Sequence, residues 1–336
     1  MPAFLMVCHV VEVPAGDDIA EPIVTRSREL APLPTAVSSL GAVASDGMLY
    51  VYGGHVAPVH TYSTEAVTGA FGRLDLATAE AWESLPGGPA LQGMNIASHR
   101  GRILRVGGMA PRNAPGAEVD NRSTASADCF DPATGRWAPI PDLPEPRSSH
   151  DVAVIGDMLY VVGGWNMRGE DGERWFNEMM VIDLSADVPR WRPAPQPFQR
   201  RALVVAVHRE RLWVIGGFDD AEEISLRIDV FNPITASWGR GPLLPEPSRN
   251  GFAPAACVVG DRLIVSVADG SILELVEDRQ TWRVVARVTP RIVHRMVPYG
   301  DDAVVLVGGA SGRDNLATVE SVELKTAVAE SATNSD

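Results

Sequence analysis

PEPRSSHDVAVIGDMLYVVGGWNMRGEDGERWFNEMMVIDLSADVPRWRPAP, residues 144–195, holds four short apolar segments joined by turns. VAVI and MLYVV flank Gly156-Asp157, a tight-turn pair between β-rich runs. MLYVV ends on Gly163-Gly164, a long polar loop follows, MMVIDL makes a third run, and Trp191 opens a fourth. Four such runs describe one four-stranded antiparallel sheet.

The same order recurs on both sides of this stretch. Units span about residues 37–85, 91–140, 148–195, 201–241, 251–285 and 294–324. Glycine doublets close the second run at Gly53-Gly54, Gly107-Gly108, Gly216-Gly217 and Gly308-Gly309, and tryptophans mark the fourth at Trp82, Trp137, Trp238 and Trp282. A doublet permits close approach between sheets that a Cβ would block, and each indole can bury a large area between them. The fifth unit departs from the pattern, with Val267-Ala268 in place of the doublet and almost no loop. The sixth runs into KTAVAESATNSD without a tryptophan, so it lacks a fourth strand, whereas residues 23–33 resemble a spare one.

Repeated sheets of this size close into a ring. The expectation is an all-β, six-bladed propeller with four antiparallel strands per blade, closed by an N-terminal strand in the last blade. Residues 1–22 are then an extension, 23–324 a single propeller, and 325–336 a tail of disordered composition. Endings such as LYVVGG and RLWVIGG, followed by FDPATGRW and LPEPRSSH, resemble kelch repeats over about residues 23–324. That resemblance implies the fold. It leaves function open among interaction scaffolds, sialic acid mutarotases and copper-dependent galactose oxidases. With five tyrosines and no Tyr-His pair in strand context, the copper reading finds no match.

Among the 336 residues acidic side chains dominate, giving a net charge of −14 and a pI near 5. Such a surface attracts neither nucleic acid nor an anionic membrane. Cys8, Cys129 and Cys257 lie far apart and form neither a disulfide framework nor a CxxC pair. The start, MPAFLMVCHVVEVPAGDD, lacks a basic n-region and a clear cleavage site, which predicts a cytoplasmic protein. A monomer is expected, without a cofactor.

Loops between the second and third strands are long in units one to three, and long loops in a compact domain carry function. They bring His55, His60, Tyr62 and Glu65, then Arg112, Asn113, Asn121 and Arg122, then Trp165, Asn166, Arg168 and Trp175. Loops entering each first strand converge on the same face with Asn95, Arg147, His150, Arg201, Arg249, Asn250, His294 and Arg295. Arginine forks suit carboxylates and phosphates. The chain therefore reads as a binding propeller for a protein or a small anionic or carbohydrate ligand, held over blades one to three around the channel mouth. The alternative is a mutarotase-like or other carbohydrate-active enzyme using the axial arginines, with His150 and His294 as acid–base candidates. His55, His60 and Glu65 fit no metal-ligand spacing. Gly169–Glu173 lacks the alternating carboxylates of a calcium loop and reads as a solvated acidic turn. No GxSxG, HExxH, Walker or dinucleotide motif occurs.

Overall fold

The computed structural model describes residues 26–324, and the extension (1–22) and tail (325–336) expected at the two ends lie outside them. Six four-stranded antiparallel sheets are arranged as the blades of a propeller. Strands a to d of each blade run from the axis outward. In blade three they are Asp151–Ile155, Met158–Val162, Glu178–Asp183 and Arg192–Pro195. In blade six strands a to c are Arg295–Tyr299, Ala303–Val307 and Val319–Glu323, and strand d is Ser27–Glu29 from the other end of the chain. Ser27 pairs with Val322 and Glu29 with Glu320, so an N-terminal strand closes the ring.

Alternation along each b strand builds the core, because successive side chains leave a strand on opposite faces. Leu49 and Val51 pack against blade six, whereas Tyr50 and Tyr52 pack against blade two. Val305 and Val307 likewise face blade one, with Val304 and Leu306 facing blade five. Burial on both faces explains why these runs are continuously apolar. Six apolar slabs result, one between each pair of neighbouring blades.

The outer tryptophans tie each blade to the one before it. Trp137 Nε1 donates to Pro86 O at 2.7 Å, Trp191 to Pro141 O at 2.7 Å and Trp238 to Pro195 O at 2.9 Å. Trp82 donates to Ala31 O at 3.0 Å, just beyond the closing strand. The doublets do what their position suggests. A Cβ on Gly53, whose φ is +62°, would sit 2.5 Å from Leu91 O at the start of blade two.

At the axis, one residue per blade lies just before strand a with left-handed backbone: Ser39, Gly93, Ser149, Ala202, Ala253 and Val293, with φ between 47° and 63°. Their amides link neighbouring blades. Ser39 N donates to Val293 O, Gly93 N to Ser39 O, Ser149 N to Gly93 O, Ala202 N to Ser149 O and Ala253 N to Ala202 O, at 2.5–2.9 Å.

Candidate functional site: the channel mouth

Left-handed backbone at these six positions fixes where the following side chains go. In blades three and six the next residue is a buried histidine, and in blades two, three and six the one after it is a polar residue at the axis, whereas Val204 and Ala255 at that place join the apolar slabs. His150 and His294 occupy the first position and are 2% exposed. His150 Nε2 bonds Val106 O and His294 Nε2 bonds Ser266 Oγ, each at 3.0 Å. Burial, with Arg147 and Arg291 respectively adding repulsion, holds both imidazoles near pKa 3 and therefore neutral.

Asn95, Asp151 and Arg295 occupy the second position. Arg295 reaches from blade six across the axis: Nε donates to Leu40 O and Nη2 to Met94 O, both at 2.9 Å, and Nη1 lies 3.3 Å from Asp151 Oδ1 in blade three. Asp151 is fully buried and accepts from Val205 N at 2.7 Å. Burial raises its carboxyl pKa, against the attraction of Arg295. Asn95 Oδ1 accepts from Ala42 N and Ile96 N. This arm fills the channel, leaving a cavity of about 70 Å³ around Ser39, Ser149, His150, His294 and Arg295. Small-ligand sites run to roughly 300–1,000 Å³. Arg147 is also structural here: it is 2% exposed, lies on the Phe176 ring and donates to Gly163 O and Glu178 O.

Above this plug, on the face carrying the b–c loops, the chemistry differs. The residue after each doublet opens the b–c loop on this face: His55, Met109, Trp165, Phe218 and Ala310. Arg201, paired with Phe218 across a short ladder, lies over the rings of Trp165, Phe218 and Trp175 with Cζ at 4.2, 4.6 and 5.6 Å from their centroids. Trp165 and Trp175 are 5.2 Å apart, and Phe252 extends the aromatic floor 6.4 Å from Phe218. Among the described residues no carboxylate lies within ion-pair distance of Arg201, and its Nε and Trp165 Nε1 are buried without a partner. Burial works against its charge.

The long loops wall this floor. Blade one sends residues 56–66 across as a strap. Tyr62 lies tilted against His55, ring centroids 5.8 Å apart at 57°, and Arg201 opposes the rise that burial imposes on its phenol pKa. His55 Nε2 bonds Thr61 O within the strap, while His60 and Glu65 point to solvent. Asn113 Nδ2 holds Tyr62 O at 2.7 Å. Hairpins Met109–Pro111 with Asn121–Ser123, and Trp165–Met167 with Glu173–Trp175, meet side by side through an Arg122–Arg168 bridge and a hydrogen bond from Met167 N to Ser123 Oγ at 2.9 Å. Asn166 is buried among them, and Arg112 is exposed. Over blade five Asn250 is buried and bonded to Pro245 O and Asp269, with Arg249 exposed beside it.

The structure thus brings Tyr62, Trp165 and Arg201 together and separates His150, His294 and Arg147 from them. The cation and most of the aromatic floor come from blades three and four, and Tyr62 comes from the loop of blade one. Phe218 and Phe252 were missed by sequence reasoning. Phe218 carries the signal that marked His55 and Trp165, the place directly after a glycine doublet, whereas Phe252 carries none. Among the described residues no group of His, Cys, Asp or Glu could hold a metal ion, and no helix is long and apolar enough to cross a membrane.

Sequence comparison agrees with this architecture. The Kelch motif family matches residues 146–197, the stretch that makes blade three. Kelch-like protein terF of Aspergillus terreus is 30% identical over 62% of this chain and 45% of its own length. Kelch repeat and BTB domain-containing protein 12 of Homo sapiens is 27% identical over 48% of this chain and 30% of its own. A solved structure titled "Structure of YjhT" superposes with a TM-score of 0.68 at 15% identity, covering 87% of this chain and 96% of that one. The protein is a six-bladed propeller of kelch repeats. It spans less than half the length of these two curated relatives.

Proposed function

We propose that the protein is a binding propeller whose channel mouth captures an acidic peptide segment of a partner protein. Arg201 carries the reading. A guanidinium held over three aromatic rings, with a buried Nε and, among the described residues, no carboxylate within ion-pair distance although Glu173 and Glu222 act on it from further away, is poised to take a carboxylate from outside. The aromatic floor offers apolar contact at low entropic cost beside it, the usual composition of an interface hot spot. The names of the relatives place kelch repeats inside larger proteins, which suits a recognition module. A carbohydrate-active site on the axis draws less support, since the cavity there is small and both histidines are buried and neutral.

The test is a fluorescence-polarisation titration with labelled Glu/Asp-rich peptides. Arg201→Ala should weaken binding by about ten- to hundredfold, the worth of a charged hydrogen-bonded fork. Arg201→Lys should not restore it, because an ammonium neither stacks nor forks. Equal affinity of wild type and Arg201→Ala would overturn the reading.

A further inference from the structure

Arg201 lies in the connection between blades three and four, and each of those blades brings a carboxylate toward it. In the hairpin of blade three, Trp165 pairs with Trp175 and Met167 with Glu173. Residues two apart leave a strand on the same face. Glu173 therefore stands on the face that carries the Trp165 and Trp175 rings, over which Arg201 lies. Arg174, between Glu173 and Trp175, takes the other face and is bonded to Glu145.

In blade four the ladder of Phe218–Asp219 with Arg200–Arg201 runs into a turn whose shape is fixed. Asp219 Oδ1 accepts from Ala221 N at 3.1 Å and from Glu223 N at 3.0 Å, Glu222 N donates to Asp219 O at 3.1 Å, and Phe218 forms a β-bridge with Ile224. Glu222 sits in this turn with left-handed backbone, at a φ of 62°, and is exposed, as is Glu173. Among the described residues neither carboxylate takes part in an ion pair. Both act on Arg201 through space and support its charge against burial. The guanidinium thus has an unpaired carboxylate on its blade-three side and another on its blade-four side.

Such a mouth selects among acidic segments. A run of several carboxylates would satisfy Arg201 with one and bring the others against Glu173 and Glu222, on a protein whose net charge is already −14. Like charges brought together at an interface reject a partner, and opposite charges fix its register. Resting on the acidic-peptide reading of this site, we infer that the captured segment is mixed in charge: the carboxylate that forks onto Arg201 has a lysine or arginine on either side, one facing Glu173 and the other Glu222. Arg201 is then the anchor, and the two glutamates determine specificity.

Fluorescence polarisation of the full chain with four labelled peptides on one Gly/Ser background tests the selection. Three share a central glutamate flanked, two residues away on each side, by lysine, glutamine or glutamate, and the fourth places glutamine between the lysines. Wild type should bind the lysine-flanked peptide about tenfold more tightly than the glutamate-flanked one at low salt, with the glutamine-flanked peptide between them and the gap narrowing as salt rises. Loss of the central carboxylate should cost about tenfold, which separates the fork on Arg201 from general attraction to an acidic protein. Glu173→Gln combined with Glu222→Gln should close most of the gap between lysine and glutamate flanks while keeping the need for the central carboxylate. Glutamate flanks binding as tightly as lysine flanks, or a gap that the double variant leaves unchanged, overturns the inference. The acidic-peptide reading survives either result if Arg201→Ala still weakens binding of the peptides that carry the central glutamate, and both fall if it does not.

Discussion

His150 and His294 show how one backbone torsion decides the role of a residue. From sequence they share the proposed ligand face, since each opens an innermost strand. The left-handed residue before each of them, Ser149 at 52° and Val293 at 50°, rotates the chain so that the imidazole enters the gap between blades. The following residue, Asp151 or Arg295, takes the channel. No local pattern marks a left-handed serine or valine, so this step was illegible. Its consequence is acid sensitivity. Each histidine has an ordinary pKa of 6.5 when unfolded and about 3 when folded. The unfolded chain therefore binds more protons between those values. Their contribution is complete above pH 6.5 and is lost as pH falls toward 3, with a slope approaching 1.4 kcal/mol per unit for each. Asp151, whose pKa burial raises, works in the opposite direction, and two histidines outweigh it. Urea midpoints measured from pH 7 to pH 4 should fall steeply, and His150→Gln with His294→Gln should flatten that limb. An unchanged limb in the double variant would assign it to other groups.

At the level of the element, the strands were readable because their code is redundant. Doublet, turn and tryptophan recur in phase, and any one may be lost, as blade five shows with Val267-Ala268, without losing the register. The loops have no such redundancy. The long loops of blades one to three form a strap and two hairpins, yet the side chains at the floor come from tertiary pairing: Arg201 meets Phe218 across a two-residue ladder, and the strap of blade one delivers Tyr62. The strap depends on its neighbour, with Thr64 N donating to Asn113 O at 2.9 Å and Asn113 Nδ2 holding Tyr62. Deleting residues 110–122 should free it while sparing the blade sheets. Melting temperature should move by no more than a few degrees, and acidic-peptide affinity should drop severalfold. Full retention of affinity in the deletion would separate the strap from binding.

For the whole molecule, closure is the feature most plainly written in the sequence, as a strand missing at one end and spare at the other. The structure pairs Ser27–Glu29 with Val319–Glu323, buries Leu30 and Leu33, and engages Trp82 through Ala31 O. Removing residues 1–34 deletes these contacts together and bares an edge of blade six. Differential scanning calorimetry should show a melting temperature lower by on the order of 10 °C, with concentration-dependent association through the bared edge. An unchanged monomeric melt would mean that the ring holds without its clasp. The clasp also sets an address. Leu324 N bonds Asp302 O in the a–b turn of blade six, and Glu323 N bonds Arg26 O, so the chain leaves its described ends side by side on the face away from the mouth. A domain joined directly to Arg26 or Leu324 would leave from the face opposite the mouth that holds Arg201, and domains joined at both points would leave side by side.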